Sequence, residues 1–142
     1  MSKSTSAPKK RISEKADVNT DEKEEIFKKI RLIFSEYIPP LTTIIDTESR
    51  FELVSKKQVE FQGKRREAMY FGAVMIHSGF VGFYLMHVYI NPADLEKIGT
   101  ELHKTLKGKS CFHIKKLDKN LLQQIEEAVK NGIEYYRKMK FI

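Results

Sequence analysis

The stretch "MYFGAVMIHSGFVGFYLMHVYI", residues 69–90, decides the fold, because it contains no Asp, Glu, Lys or Arg. An uncharged run of this length matches the span of a transmembrane helix. However, His77, Ser78 and Gly79 lie in its middle, and Ser-Gly is a turn dipeptide. The remaining residues are mainly Val, Ile, Tyr and Phe, a composition typical of strands. We therefore predict a buried β-hairpin and no membrane span, with strands of about eight to eleven residues.

The second strand of this hairpin is expected to be apolar on both faces. Alternation places Phe83, Leu85, His87 and Tyr89 on one face, and Tyr84, Met86, Val88 and Ile90 on the other. An antiparallel sheet with one face in water shows polar residues on that face. We therefore expect both faces to be covered, by helices, by a second copy of the chain in a homodimer, or by a ligand pocket lined by Tyr84, His87 and Tyr89.

Apolar residues at helical spacing predict an N-terminal helix, which Asn19 or Thr20 caps and Pro39 ends. Its apolar face consists of Ile26, Ile30, Ile33, Phe34 and Tyr37. Residues 41–46 and 50–55 are rich in β-branched and aromatic residues, and a short polar segment separates them. They predict a second hairpin.

The C-terminal part predicts a helical pair, a strand and a final helix. Asn91 and Pro92 begin the pair, and Gly99 breaks it in two. The apolar positions of the pair are Leu95, Ile98, Leu102 and Leu106. The strand covers residues 109–116, and Asp118 caps the final helix. Together the elements predict an α+β fold, a single antiparallel sheet of about five strands packed with an N-terminal helix, a middle helical pair and a C-terminal helix.

The chain of 142 residues is long enough for one domain, and its net charge of +7 favours an anionic partner. Residues 1–20 carry +3 of this charge and contain no aromatic residue. We therefore predict a disordered basic tail over residues 1–20 and one domain over residues 21–142. The single cysteine, Cys111, excludes an intramolecular disulfide, and no apolar segment follows the first lysines as in a secretory signal. A cytoplasmic protein is expected.

Motifs that carry catalysis are incomplete in this sequence. The "GKS" of residues 108–110 ends a phosphate-binding loop motif, but that motif needs a glycine where His103 lies. Cys111 and His113 share one face of the predicted strand, but their side chains run parallel and no acid is near them in sequence. The four histidines lack the spacing of metal ligands. We therefore predict no enzyme activity, no catalytic residue, no metal site and no cofactor.

Basic residues form two groups. The first flanks the strand predicted at residues 109–116 and consists of Lys104, Lys107, Lys109, Lys115, Lys116 and Lys119. The second, Lys64, Arg65 and Arg66, precedes the opening stretch. If the two groups meet in space, they form a surface that attracts anions, including nucleic acid. The alternative is a solvated sheet edge, because lysine also discourages edge-to-edge strand pairing.

The segments "YFGAVMIHSGFVGFYLMHVYINP", "ELHKTLKGKSCFHIKKLD" and "EYYRKMKFI" resemble the YdhG-like family of uncharacterised bacterial domains. The resemblance covers residues 25–142 and implies a compact α+β domain, similar in outline to frataxin-like folds. It implies no role for His87, because relatives usually have proline there. It also implies the iron-chaperone role proposed for some members. Oxygen ligands for iron would come from the acidic group Asp21, Glu22, Glu24 and Glu25.

Three functions are compatible with these observations. The first is a non-enzymatic module that binds an unknown small ligand or a protein. Its candidate ligand-binding residues are Tyr84, His87, Tyr89, Lys109, Ser110, Cys111 and His113. The second is an anion or nucleic-acid binder that uses the lysine group and the tail. The third is an iron chaperone, by family resemblance.

Overall fold

The computed structural model describes residues 19–142. Residues 1–18 of the predicted tail therefore lie outside the described residues. The helices are α1 (Thr20–Ser35), α2 (Met86–Ile90), α3 (Thr100–His103) and α4 (Lys119–Lys138), with a 3-10 helix over Pro92–Lys97. The strands are β1 (Leu41–Asp46), β2 (Arg50–Ser55), β3 (Val59–Phe61), β4 (Lys64–Arg66), β5 (Met69–Ile76), β6 (Val81–Leu85), β7 (Leu106–Lys107) and β8 (Cys111–Ile114).

Six strands form one antiparallel sheet in the order β1-β2-β5-β6-β8-β7, and β3 and β4 form a separate ribbon. This arrangement confirms the predicted α+β fold with one main antiparallel sheet. The sheet has one strand more than expected, because Leu106 belongs to β7 and not to the middle helical pair. Pairing with β8 begins at Thr105, one residue before β7, because the Thr105 carbonyl accepts a hydrogen bond from the amide of His113 at 2.9 Å.

Strands β5 and β6 confirm the hairpin predicted within residues 69–90. The amide of His77 donates to the carbonyl of Phe80 at 2.8 Å and closes the turn. Among residues 19–142, no helix has the length and apolar composition needed to cross a membrane.

The second strand of the hairpin is shorter than predicted, because β6 ends at Leu85 and the chain continues as α2. The amide of Leu85 donates to the carbonyl of Ser110 at 3.2 Å, and the pairing of β6 with both neighbouring strands ends here. Beyond this point, α2 turns His87 and Val88 into the core. The predicted alternation of residues 86–90 across two sheet faces is therefore wrong.

Both long helices begin at the predicted caps. The Asn19 side chain accepts a hydrogen bond from the amide of Glu22 at 2.8 Å, and Asp118 accepts one from the amide of Leu121 at 2.8 Å. These bonds satisfy amides that have no partner inside the helix. Helix α1 ends two residues before Tyr37, which was predicted to continue its apolar face.

Helices α1 and α4 cover one face of the sheet. Phe34 of α1 packs against Phe83 of β6 with ring centroids 5.7 Å apart. Tyr136 of α4 meets the ring of Phe71 edge to face at 5.0 Å. All four side chains are fully buried. This covered face holds the hydrophobic core.

The opposite face, which we call the open face, has no helix packed on it among residues 19–142. The pairing register assigns to it Arg50, Glu52, Tyr70, Ala73, Met75, Gly82, Tyr84, Lys107, Cys111 and His113. The hydroxyl of Tyr70 donates to Glu52 Oε1 at 2.8 Å, and Arg50 forms an ion pair with the same carboxylate. Among the described residues, helices therefore cover one face only, and cover of the open face by a second copy of the chain or by a ligand stays a prediction.

Candidate functional site

A groove around Tyr89 lies between the β3–β4 ribbon, α2 and the turn from β7 to β8. It consists of two adjoining clefts of about 350 and 440 Å³, which share Gln62 and Tyr89, and we call it the Tyr89 groove. Its lining combines apolar side chains with the cations of Arg66 and Lys109. Among the described residues, no carboxylate lines either cleft. The groove therefore offers apolar surface and positive charge together.

Local structure explains how the Tyr89 groove is built. Helix α2 turns His87 and Val88 into the core, which leaves Tyr89 on its outer side with 54% of its surface exposed. The β7–β8 turn contains Gly108 at a φ of +77°, a conformation that glycine adopts without steric cost. This turn brings the Lys109 ammonium to 5.8 Å from the centre of the Tyr89 ring. The ring and the cation together suit a planar ligand that carries an anion.

A second cleft, of about 420 Å³, lies at the edge of the sheet beyond α3 and beside the end of β8. We call it the lysine pocket. Its basic lining residues are Lys104, Lys107, Lys115 and Lys116. His113 reaches it from the open face, and Glu101 and Asp118 are its acidic lining residues. Four ammonium groups and two carboxylates give this lining a net charge of +2.

The two acids of the lysine pocket are already engaged. Glu101 lies 3.4 Å from the ammonium of Lys104, and Asp118 accepts the capping hydrogen bond of α4. Three of the lysines have no carboxylate within 4.0 Å among residues 19–142, namely Lys107, Lys115 and Lys116. Burial lowers the pKa of His113, and the charges of Lys107 and Lys115 act in the same direction. His113 is therefore neutral at pH 7, beside three ammonium groups available to an anion.

Three rings stack on the open face beside the lysine pocket. The Phe80 ring lies between two imidazoles, at 4.6 Å from His77 and 3.7 Å from His113. The ring planes are inclined by 26° and 12°, and all three side chains are partly exposed. We call His77, Phe80 and His113 the ring stack. The Lys23 ammonium fixes the turn that carries it, because it donates to the carbonyls of His77 and Ser78 at 2.8 Å each.

Tyr84 continues the open face towards the middle of the sheet. Its hydroxyl lies 3.0 Å from Nε2 of His77, and its ring lies over Gly82. A Cβ atom at Gly82 would lie 2.8 Å from that hydroxyl, so the glycine makes room for the ring. Cys111 lies directly opposite Tyr84 in the sheet. Burial raises the pKa of Cys111, and a protonated thiol is a poor nucleophile.

His87 lies in the core, away from the Tyr89 groove and the lysine pocket. Its side chain is 1% exposed, with Nδ1 at 2.9 Å from Asp94 Oδ2 and Nε2 at 3.2 Å from the carbonyl of Ala128. Burial lowers the pKa of His87, and Asp94 acts in the opposite direction. Gly132 lets the imidazole approach α4, since a Cβ there would lie 2.6 Å from its Cδ2. This histidine joins α2, the 3-10 helix and α4, and it lines neither the Tyr89 groove nor the lysine pocket.

The predicted site residues thus do not form one site. Tyr84, Cys111 and His113 share the open face, as their alternation and pairing indicate. Tyr89 and Lys109 meet in the Tyr89 groove. Ser110 lies between these two sets, and its carbonyl holds the end of β6. His87 belongs to neither, and four lysines of the first basic group line the lysine pocket.

Two residues of the open face were missing from the sequence prediction. His77 and Phe80 flank the hairpin turn, and their rings contact each other across it. Phe80 also contacts His113, which lies far along the chain. The sequence shows the turn itself, but the neighbour of β6 in the sheet is β8, about thirty residues later. Only that pairing brings Phe80 against His113.

Residues 19–142 contain no group of three His, Cys, Asp or Glu side chains placed so that they could hold a metal ion together. The acidic group on α1 is interrupted by Lys23, and Glu22 also accepts a hydrogen bond from the Asn19 amide at 3.0 Å. An iron-chaperone role stays a prediction.

We compared the chain with protein-family models, with curated proteins and with solved structures, and none matched. The resemblance to the YdhG-like family and to frataxin-like folds therefore stays a prediction.

Proposed function

We propose that the protein is a non-enzymatic binding module for a planar ligand that carries phosphate, such as a nucleotide, and that the ligand binds in the Tyr89 groove. The observation that carries this proposal is the exposed ring of Tyr89 beside Arg66 and Lys109, in a lining without a carboxylate among the described residues. Small-ligand sites typically combine apolar surface with a few placed polar groups, as here.

General physical principles support binding of both the planar base and the phosphate of such a ligand. A base stacked on an aromatic side chain contributes about 1–3 kcal/mol of binding free energy. A cation next to the ring adds attraction for phosphate, and the net charge of +7 favours the approach of an anion. The buried His87 and the protonated Cys111 provide no reactive group beside the groove, in keeping with a module that binds and does not transform its ligand.

The cellular setting belongs to the same proposal. A free thiol at Cys111 suits a reducing compartment, so we propose a cytoplasmic protein. The motifs quoted above support membership of the bacterial YdhG-like family.

The direct test is a calorimetric titration of the full chain with AMP in low-salt buffer. We expect binding that Tyr89→Ala weakens about 5- to 100-fold, because the stacking contribution is lost. Tyr37→Ala, at a half-buried tyrosine after α1, serves as the matched control. Lys109→Gln is expected to weaken binding more than Lys57→Gln, which removes the same charge from an exposed loop. Equal effects of variant and control, or no AMP binding at millimolar concentration, would overturn the proposal.

A further inference from the structure

Two cationic sites lie at opposite ends of β8, and the open face connects them. Lys109 precedes the strand and belongs to the Tyr89 groove, while Lys115 follows it and belongs to the lysine pocket. Tyr70 links the groove to the open face, because it lines the groove and donates a hydrogen bond to Glu52 on that face. A ligand with several negative charges can therefore contact both sites along one surface.

Aromatic side chains occupy the surface between the two sites. The ring stack adjoins the lysine pocket through His113, and Tyr84 follows it across the sheet. Partly exposed rings on an open antiparallel sheet provide faces on which unpaired bases stack. A duplex hides these base faces inside its own stack, so the arrangement favours a single strand.

The spacing of the sites sets the length of such a ligand. Lys109 and Lys115 lie six positions apart and flank β8, which corresponds to at most about 20 Å for an extended chain. At a spacing of about 3.4 Å between phosphates, a stacked single strand covers this distance with about six nucleotides. This length lies within the range found for sheet-based single-strand binders.

The carboxylates near the surface between the two cationic sites have cations beside them. Glu52 is paired with Arg50, and Glu101 with Lys104. Glu22 and Glu25 line a neighbouring cleft together with Lys29, Lys115 and Lys116, so cations outnumber carboxylates there as well. Charge complementarity along the open face therefore favours a polyanion over a neutral or cationic partner.

We infer that the open face binds single-stranded nucleic acid, whose phosphates contact the Tyr89 groove at one end and the lysine pocket at the other, with bases on the ring stack between them. This inference rests on the proposed function, because the Tyr89 groove provides the first nucleotide subsite. It goes beyond that function by adding the ring stack and the lysine pocket, which a mononucleotide does not reach.

The test measures binding of fluorescein-labelled dT12 to the full chain by fluorescence anisotropy, beside an abasic strand of the same length and a twelve-residue oligoglutamate. We expect dT12 to bind at least tenfold more tightly than either competitor and than AMP. Equal binding of the abasic strand or of oligoglutamate would show attraction by charge alone and would overturn the inference. AMP binding without tighter binding of dT12 would overturn the inference and leave the proposed function intact, whereas absence of both would overturn both.

Variants locate the additional contacts. Phe80→Ala removes the middle ring that holds the two imidazoles nearly parallel. It is expected to weaken dT12 binding about 5- to 100-fold, because the outer imidazole faces then lose their fixed position for a stacked base, and to leave AMP binding unchanged. Tyr37→Ala is its control. Lys107→Gln combined with Lys115→Gln is expected to weaken dT12 binding about tenfold more than Lys56→Gln combined with Lys57→Gln, which removes the same charge elsewhere. Circular dichroism verifies folding of each variant, and equal effects of the paired variants would overturn the inference.

Discussion

The two faces of the six-stranded sheet use aromatic side chains in different ways. On the covered face, Phe71 and Tyr136 meet edge to face at 88° and are fully buried. On the open face, Phe80 and His113 lie nearly parallel at 12° and remain partly exposed. Edge-to-face contacts fill volume between a sheet and its helices, whereas a parallel stack leaves the outer faces of its end rings, His77 and His113, available to a further planar group. The same residue types therefore support stability on one face and recognition on the other.

The strongest test of this contrast is a pair of phenylalanine truncations. Phe83→Ala leaves a cavity beneath α1 and is expected to lower the free energy of unfolding by about 3–5 kcal/mol. Phe80→Ala removes a partly exposed ring and is expected to cost less than about 1 kcal/mol. Urea denaturation followed by circular dichroism measures both. Similar losses for the two variants would contradict the separation of roles between the faces.

Salt dependence provides the next largest effect and concerns the open face together with the Tyr89 groove. Four contacts to phosphate, from Arg66, Lys109, Lys107 and Lys115, predict a slope of about −2.8 for log affinity against log salt. Between 50 and 200 mM salt, dT12 binding should weaken about 50-fold. Replacing Lys107 and Lys115 by glutamine should halve the slope. A slope near zero in the unmodified chain would argue against phosphate contacts on this face.

A smaller effect is expected on the covered side, at the contact between His87 and α4. Gly132→Ala places a methyl group 2.6 Å from an imidazole that is held at both nitrogens, so the ring cannot move away. We expect the free energy of unfolding to fall by about 1–2 kcal/mol, although alanine by itself favours the helix. Asn131→Ala, one position earlier, is the control and should be neutral or stabilising. A stabilising Gly132→Ala would show that His87 is not closely packed.

The smallest predicted effect is a pH dependence of binding. Burial and the charges of Lys107, His77 and Lys115 hold the pKa of His113 below its usual value, so the imidazole is neutral at pH 7.5 and becomes charged only in acidic solution. Its protonation adds a cation beside the lysine pocket. Affinity for dT12 should therefore rise about two- to fivefold between pH 7.5 and 5.5. His113→Gln should remove this rise, and an unchanged pH profile in that variant would assign it to another group.

The sequence predicted the elements whose signals are local. The turn at His77, Ser78 and Gly79 and the strand composition around it identify the β5–β6 hairpin, and Asp118 identifies the start of α4. Helix α2 was missed because the alternation of residues 86–90 fits a strand equally well, and only the packing of His87 against α4 decides between the two. The β3–β4 ribbon was missed because its charged strand, Lys64–Arg66, is exposed and shows no apolar period.

The candidate site was predictable only in part for the same reason. Cys111 and His113 share a face because they are two residues apart on one strand, which the sequence shows directly. Tyr84 joins them through the pairing of β6 with β8, and Tyr89 meets Lys109 through the β7–β8 turn. These contacts depend on which strands are neighbours. Sheet order follows from the packing of the whole chain and is not encoded in any short segment.

The hydrogen bonds of Lys23 have a consequence for the order of folding. They join α1 to the β5–β6 turn across 54 and 55 residues, whereas the paired residues of the hairpin are at most 13 positions apart, as Gly72 and Leu85 are. Local contacts form before those that close long loops. We therefore expect the hairpin to form early and the turn that carries His77 and Phe80 to become fixed only when α1 docks. Pulse-labelled hydrogen exchange would then find the hairpin amides protected first, and the surface proposed for recognition would be among the last parts of the molecule to mature.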